Sequence, residues 1–353
     1  MRQRAVRLAP LDGTEGAASV FVIRETDDTV NAVAEVIRRV GGPVSTALLD
    51  PTCRRFSVRG IEGLIGYKVR LGCAVGMGDP ACPPKDTPAL ACAFRAFCRE
   101  RRWHTVYAVA GASFASWAVR LGYAAVEFGE ELILDPREDQ QVGARGRELR
   151  KKVRKAEREG ATVAEYQPWR FRDRALETQL EHAVKAWLGS RHGPQIYLAG
   201  VDLRFAVRGR RWFVAHHGGS VVGLLAMMEL QSRQGYLLEH LLATPEAPIG
   251  TTELLVVEGL RALGAEGCGF ATFGPAPNDH LGEVKGLSAL SGKIAHAVYD
   301  GSRHVLHLDS KTRYRQKFQI ARTEPSYLLF DPPHVGLRDV YGLLRAFNVS
   351  LWL

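Results

Sequence analysis

The order strand, Gly/Pro-rich loop, helix, strand occurs twice in this sequence of 353 residues, and this repeat limits the fold more than any other feature. The first copy spans about residues 70–110 around the loop GMGDPACPPKD, and the second spans about 236–274 around TPEAPIGTT. Strands interleaved with single helices predict an α/β or α+β fold rather than a bundle or a sandwich. The copies share order and loop chemistry but little identity, so duplication is only suggested.

The elements of the first half follow from apolar periodicity and from capping and turn residues. Residues 1–20 are predicted to be irregular, and Asp27–Asp28 begins a helix that Gly41–Gly42 ends. The remaining predictions are strands at Ser45–Leu49, Arg54–Val58, Gly63–Val69 and Arg70–Val75, a helix from about Thr87 to Arg101, a strand at His104–Val109, a helix at Ser113–Leu121 and a strand at Val126–Leu134.

The second half repeats this plan after a polar linker. It is predicted to contain a helix at Arg170–Leu188, strands at Arg211–His216, Val221–Glu229 and Tyr236–Ala243, a helix at Glu253–Leu263 and a strand at Gly269–Phe273 that ends in GPAPN. The tail, Leu337–Leu353, has the apolar spacing of an amphipathic helix and is expected to pack on the protein's own core. Contact with a membrane surface is the alternative for this helix, because the chain ends in Leu-Trp-Leu.

A basic segment, Arg145–Gly160, joins the two halves. It carries eight Lys or Arg residues against three Glu, out of a net charge of +9 for the whole chain. Its composition predicts a helix, with Leu149, Val153 and Ala156 on one packed face. A face built only for solubility usually mixes signs at i,i+4, so the excess of positive charge favours a surface that binds polyphosphate. Anionic lipid is an equally good partner for such a surface.

Composition bounds the remaining possibilities. The N-terminal residues lack the apolar core of a signal peptide, and the longest apolar run, Val221–Met228, is too short to span a bilayer. We therefore expect a cytoplasmic protein without a transmembrane segment. Six cysteines with no metal-ligand spacing predict free, mostly buried thiols and no metal site.

Several stretches in order resemble one family. GYKVRLGCAVGMGDP and FGEELILD resemble the first half of the soluble catalytic region of aminoacyl-phosphatidylglycerol synthases, and RELRKKVRKAEREG resembles its basic connecting helix. EHLLATPEAPIG lies where the family has an Asp-Leu-Met-Arg motif and an Ala-Pro-x-Gly loop. GPAPN resembles its Gly-x-Ala-Pro turn, and RYRQKF resembles its Arg-Phe-Lys-x-Lys-Phe motif.

The resemblance implies two tandem acetyltransferase-like (GNAT) units with a tunnel between them: an N-terminal unit at 1–140, a connecting helix at 141–160 and a catalytic unit at 161–353. It also implies transfer of an aminoacyl group from aminoacyl-tRNA to phosphatidylglycerol. Soluble relatives without the membrane half use small acceptors in antibiotic biosynthesis. The motif's Asp corresponds to Glu239 and its Arg to Leu242, and this loss of a fixed positive charge favours a small-molecule acceptor over the lipid.

An aminoacyl ester is already activated, so the reaction requires no cofactor and no metal, only positioning, a base and shelter for the oxyanion. The catalytic candidates are Glu239, His240, Asp79 and Lys317. Glu239 ends a strand and is a general base or an anchor for the donor's α-ammonium group. His240 is expected on the opposite face of that strand. Asp79, in Gly-Asp-Pro, is equally typical of a turn.

The substrate-binding candidates are Gly274 and Asn278 in GPAPN, Arg315 in RYRQKF and Tyr236 at the start of the Glu239 strand. If RYRQKF is a strand, Arg313, Arg315 and Lys317 share one face and form an anion groove. The residues predicted to bind tRNA phosphates are Arg147, Arg150, Lys151, Arg154, Lys155 and Arg158.

Two other classes of function remain open. An acyl-CoA N-acyltransferase needs a loop whose backbone N–H groups bind pyrophosphate. The corresponding loop, Pro245–Thr251, contains two prolines and Glu246, which disfavours that ligand. A non-catalytic module that binds tRNA or membranes is the second alternative.

Overall fold

The computed structural model describes residues 18–21, 27–190, 201, 203–306 and 313–347. Its helices are α1 (Asp27–Val40), α2 (Thr87–Glu100), α3 (Ala112–Arg120), α4 (Arg147–Arg158), α5 (Arg174–Gly189), α6 (Thr251–Ala265), α7 (Ala289–Leu306) and α8 (Leu337–Ala346). Its strands are β1 (Ala18–Phe21), β2 (Arg54–Val58), β3 (Ile65–Arg70), β4 (Cys73–Met77), β5 (His104–Gly111), β6 (Ala124–Leu134), β7 (Thr162–Tyr166), β8 (Arg210–His217), β9 (Ser220–Leu230), β10 (Gly235–Ala243), β11 (Ala271–Pro277), β12 (Val284–Lys285) and β13 (Ile320–Asp331).

The strands form one continuous sheet in the order β1-β2-β3-β4-β5-β13-β6-β11-β10-β9-β8-β7, with β12 paired to β6. The repeat predicted from the sequence is present in it. In the first half, antiparallel strands lead to β4, helix α2 crosses over, and β5 pairs with β4 in parallel. In the second half, antiparallel strands lead to β10, helix α6 crosses over, and β11 pairs with β10 in parallel. Each half therefore has one parallel pair at its centre.

The last strand of the chain belongs to the sheet of the first half. Strand β13 lies between β5 and β6 and pairs with both in antiparallel register. Helix α8 follows it and packs beside Cys73 and Val75 of β4. The predicted unit boundaries, 1–140, 141–160 and 161–353, remain predictions, and the sheet runs through both halves without a break.

Helices cover both faces of the sheet. On one face of the second half, α4 and α6 pack against Leu225, Met227 and Leu238. On the other face, α1 packs against Met228 and Leu237. Because neighbouring strand residues point to opposite faces, the alternation of Met227 with Met228 and of Leu237 with Leu238 defines these two layers.

Several sequence predictions need correction. Ser45–Leu49 is a 3-10 helix rather than a strand, and its five residues are all buried. Uniform apolar character cannot distinguish a short buried strand from a buried helical turn. The buried Arg55 guanidinium donates to the carbonyl oxygens of Leu48 (2.8 Å) and Asp50 (2.7 Å) and so holds the end of this turn. Residues 1–20 were predicted to be irregular, but Ala18–Phe21 form β1.

The C-terminal helix packs on the protein's own core, as predicted, through the partly buried side chains of Val340, Leu343 and Phe347. The terminal Leu-Trp-Leu at 351–353, which suggested contact with a membrane, lies outside the described part of the chain. Within the described residues, no helix has both the length and the apolar composition needed to cross a bilayer.

Candidate active site

The candidate site lies where the central parallel pair of the second half separates. In the described residues, β10 and β11 pair only at Tyr236 with Ala271 and at Leu237 with Thr272. Beyond these positions each strand has an irregularity, between Leu238 and His240 in β10 and between Thr272 and Pro275 in β11. In the first half, β4 and β5 stay paired at five positions. The separation of β10 from β11 therefore opens a gap, called the splay below, that the first half lacks.

Glu239 and Arg210 form a buried ion pair on the β10 side of the splay. Arg210 Nη2 lies 2.9 Å from Glu239 Oε2 and 3.0 Å from Oε1, and the two side chains are 0% and 4% exposed. Glu239, predicted to end a strand, lies inside β10, and the cation beside it was not predicted from the sequence. An arginine at the start of an otherwise apolar strand was the available signal.

The prediction that His240 lies on the opposite face of the strand from Glu239 is wrong. Its Nε2 is 3.5 Å from Glu239 Oε1. The β-bulge between Leu238 and His240 inserts one residue into the strand, so the period-two rule fails at this point. The bulge therefore places both polar side chains together.

Gly274 and Arg315 meet on the β11 side of the splay. Arg315 Nη1 donates to the carbonyl oxygens of Pro275 (2.8 Å) and Gly274 (3.2 Å). Gly274 adopts φ +71°, a left-handed conformation that other residues rarely adopt, so glycine is required for this change of direction. Burial lowers the pKa of Arg315 to about 10. Within the described chain, no carboxylate pairs with this guanidinium.

Lys317 does not share a face with Arg315. Residues 313–315 are helical and a turn follows, so the predicted strand is wrong. Lys317 Nζ instead lies 2.8 Å from Glu253 Oε1, in the first turn of α6. Burial would raise the pKa of Glu253, but the hydrogen bond and charge of Lys317 lower it overall. Lys317 is therefore neutralised by a residue of α6.

Asp79 follows the central parallel pair of the first half. Its carboxylate is open to solvent, yet the surrounding protein removes enough water to raise its pKa to about 6. The Gly111 N–H donates to Oδ1 at 2.9 Å, and a Cβ at Gly111 would lie 3.0 Å from Oδ2. Glycine at this position therefore permits the contact, and the nearby positive charge of Arg233 limits the rise in the pKa.

The segment that contains Pro43 and Val44 lies against both the end of β4, next to Asp79, and the turn in β11 at Gly274. A Cβ at Gly78, next to Asp79, would lie 2.4 Å from Val44 Cγ2, and a Cβ at Gly274 would lie 3.5 Å from Pro43 O. Consecutive residues of this segment thus contact the end of β4 and the turn in β11. Asp79 and Gly274 are consequently on two sides of the same short segment.

Asn278 and Tyr236, the other two residues predicted to bind substrate, contact different residues from Gly274 and Arg315. The Asn278 N–H donates to Phe128 O, and its carbonyl accepts from the Tyr299 hydroxyl at 2.7 Å. Tyr236 lies 5.6 Å from the Arg211 guanidinium, ring centroid to Cζ, on the face covered by α4 and α6. Because Arg210 and Arg211 are adjacent in β8, Tyr236 and Glu239 lie on opposite faces of the sheet.

The basic segment forms helix α4 with the predicted packed face, since Leu149, Val153 and Ala156 are buried. Its cations have different surroundings. Arg150 is half-buried and donates to the carbonyl oxygens of Gln141 and Gly143, and Lys155 lies 3.7 Å from Glu159. The exposed cations of the helix are Arg147, Lys151, Arg154 and Arg158.

Helix α4 lies against the loop that follows β10. Gly250 has φ +103°, and a Cβ there would lie 2.1 Å from Lys152 O, so only glycine fits. In this loop the Ala247 and Thr251 N–H groups donate to Thr244 O and Pro248 O. These N–H groups are thus occupied by the protein itself, which disfavours the pyrophosphate cradle of an acyl-CoA site.

The fold is a mixed α/β sheet in which a strand–helix–strand arrangement occurs twice, and the candidate site lies at the splay of the second one. The chain belongs to the family described as phosphatidylglycerol lysyltransferase, C-terminal, whose model matches residues 34–330. The family and the α+β fold class predicted from the sequence are confirmed, as is membership of an aminoacyltransferase family.

Individual relatives agree with this assignment. The lysylphosphatidylglycerol biosynthesis bifunctional protein LysX of Mycobacterium sp. (strain JLS) is 30% identical over 209 residues, which is 55% of this chain and 18% of LysX. Its counterpart in Mycobacterium avium (strain 104) is 29% identical over 209 residues, covering 58% and 17%. The chain thus spans less than a fifth of the length of these curated relatives.

Two solved structures share the fold. One is the C-terminal domain of a protein described as a lysylphosphatidylglycerol synthetase from Agrobacterium fabrum, with TM-score 0.72, 16% identity and coverage of 92% of this chain and 98% of that one. The other is L-PGS from Bacillus licheniformis, with TM-score 0.72, 18% identity and coverage of 91% and 97%. At these identities the likeness concerns the fold alone.

Proposed function

We propose that this chain transfers an aminoacyl group from the 3′ end of an aminoacyl-tRNA to a hydroxyl group of phosphatidylglycerol. The family match and the names of the LysX relatives support the reaction class and the lipid. The four exposed cations of α4 support a tRNA donor, because such a row binds backbone phosphates without reading sequence.

The observation that carries the proposal is the position of Arg315. Its guanidinium is withdrawn from water at the edge of the splay, and no carboxylate in the described chain balances its charge. A desolvated cation without a counterion favours an anionic ligand or a developing oxyanion. Both proposed substrates carry phosphate next to the reacting group.

Glu239, at the splay, and Asp79, across the segment of Pro43 and Val44 from Gly274, have complementary roles in this proposal. The Glu239 carboxylate contacts one Arg210 nitrogen and, at 3.5 Å, His240 Nε2, so its oxygens retain acceptor capacity for the donor's α-ammonium group. Asp79, with a pKa of about 6, is ionised at neutral pH and can accept the proton of the attacking hydroxyl.

Two structural observations favour the lipid over the small acceptor. Leu242, which replaces the family's Arg, is buried, while Arg315 places at the splay a cation that no carboxylate in the described residues neutralises. A positive charge is therefore available there from another position. In addition, Trp169 and Phe171 are 61% and 73% exposed beside exposed arginines, a combination suited to the surface of an anionic membrane.

The test uses a full set of radiolabelled aminoacyl-tRNAs with vesicles that contain phosphatidylglycerol or only phosphatidylcholine. We expect label from one tRNA species to enter lipid only when phosphatidylglycerol is present. Arg315→Gln should lower kcat/KM about 100-fold, whereas Arg313→Gln, at an exposed position two residues away, should change it less than about twofold.

Other results would redirect or end the proposal. Label that leaves tRNA only when a small-molecule extract is added would identify a soluble acceptor. If no aminoacyl-tRNA loses label faster than by spontaneous hydrolysis under any of these conditions, the chain is not a transferase of this kind.

A further inference from the structure

A cluster of two histidines and an aspartate lies in the first half, away from the splay. His104 Nδ1 is 2.8 Å from Asp339 Oδ1, and His334 Nε2 is 4.0 Å from Asp339 Oδ2. All three ligand atoms lie within 4.8 Å of one another, and the two imidazole rings are T-shaped with centroids 5.0 Å apart. Three metal-ligating side chains thus converge on one point.

Each ligand comes from a different element. His104 is the first residue of β5, His334 lies between β13 and α8, and Asp339 is in the first turn of α8. Asp339 is oriented by a second contact, because the Gly336 N–H donates to its Oδ2 at 3.0 Å. A carboxylate ligand held by a backbone hydrogen bond is the outer-shell arrangement typical of metal sites. The cluster joins the C-terminal segment to the sheet of the first half.

The charge balance also favours a cation. Asp339 is 1% exposed, and in the described part of the chain its only ion-pair partners are the two histidines, with no lysine or arginine. The buried carboxylate thus faces two imidazole nitrogens, and this set of oxygen and nitrogen donors is suited to a divalent ion.

We propose that His104, His334 and Asp339 bind one divalent transition-metal ion, with Zn²⁺ as the preferred ion. Two nitrogens and one carboxylate oxygen match the ligand set that zinc accepts, with water as the fourth ligand. Bond lengths of about 2.0–2.2 Å require the three atoms to approach one another. His334 can move, because its side chain is 46% exposed. The ion would fasten helix α8 and the end of β13 to β5.

The experiment uses the full chain after removal of metal with a chelator and dialysis. Calorimetric titration with ZnCl₂ should show one equivalent bound with a dissociation constant of about 1 µM or lower. Saturation should raise the midpoint of thermal unfolding by about 3 °C or more. His334→Ala should weaken binding at least about tenfold and abolish this rise, while His182→Ala, an exposed histidine on α5, should change neither.

A second measurement identifies the ligands. Co²⁺ bound in place of Zn²⁺ should give ligand-field bands without a sulfur-to-cobalt charge-transfer band, because the proposed ligands contain no thiolate. His334→Ala should unfold at the same midpoint as the metal-free parent, since its imidazole is half exposed. Absence of stoichiometric binding, equal binding by His334→Ala, or a thiolate band would overturn the proposal and leave an Asp–His ion pair.

Discussion

At the residue scale, the Arg210–Glu239 pair should contribute separately to stability and to function. Glu239→Gln removes the carboxylate 2.9 Å from a fully buried guanidinium, so it should lower the free energy of unfolding by about 3–5 kcal/mol. The double change Arg210→Met with Glu239→Leu removes both charges and should recover most of that loss. Urea unfolding measures this effect.

The transfer assay separates the two roles of this pair. The double variant should remain inactive, because it lacks the carboxylate proposed to hold the α-ammonium group. A stable double variant with normal kcat/KM would show that the pair is structural only. Full stability of Glu239→Gln would show that the pair is not desolvated in solution.

Asp79 should make stability depend on pH. Its pKa of about 6 in the folded state is above the ordinary 3.8, so between these values the folded state binds more protons than the unfolded state. The free energy of unfolding, relative to Asp79→Asn, should therefore fall as pH rises from 4 to 7. We expect a fall of only about 1 kcal/mol, because the carboxylate is open to solvent, and screening by water reduces the effect of its pKa shift on stability.

Unfolding of both proteins at pH 4, 5.5 and 7 measures this dependence. Glu246→Gln, at an exposed position in the loop before α6, serves as the control. The difference between its free energy of unfolding and that of the parent should be the same at all three pH values. A constant difference for Asp79→Asn as well would show that solvent fully screens this carboxylate.

At the element scale, helix α4 packs through one face and is proposed to bind tRNA through the other. Its buried face anchors it, so Gln at positions 147, 151, 154 and 158 should leave the thermal midpoint within about 2 °C. The same change should weaken tRNA binding. It should also reduce the slope of log K against log[salt] by about 0.7–0.9 for each phosphate that the helix no longer neutralises.

The matched control changes four exposed arginines of the first half, Arg59, Arg70, Arg102 and Arg120, to Gln. It removes the same total charge and should alter the slope much less. Equal slopes for both variants would mean that tRNA is attracted by net charge rather than bound by this helix. Filter binding at several salt concentrations distinguishes these outcomes.

At the scale of the whole molecule, β13 makes the first half dependent on the end of the chain. A fragment of residues 27–143 would lack the strand between β5 and β6 and expose long unpaired edges. We expect this fragment to show no cooperative unfolding transition by circular dichroism. The same fragment with residues 318–347 joined by a flexible linker should recover one, and cooperative unfolding of the shorter fragment would contradict the expectation.

The sequence alone determined the elements with strong periodicity or strong turn chemistry. The repeated strand–helix–strand order, the buried face of α4 and the packed face of α8 depend on residues close together in the chain, so local patterns indicate them. The family resemblance likewise depended on motifs in order. Gly274 and Arg315 were both selected from such motifs, and the structure brings them into contact.

Only the tertiary structure decided which charged side chains pair with one another at the site. Arg210 neutralises Glu239, Glu253 neutralises Lys317, and a bulge turns His240 towards Glu239. These pairs involve strands and helices that are far apart in the chain. A one-residue bulge also reverses the face of the sheet that strict alternation predicts for the residues after it. The place of β13 has the same cause: strand pairing is set by long-range hydrogen bonds and packing, which no local window of sequence contains.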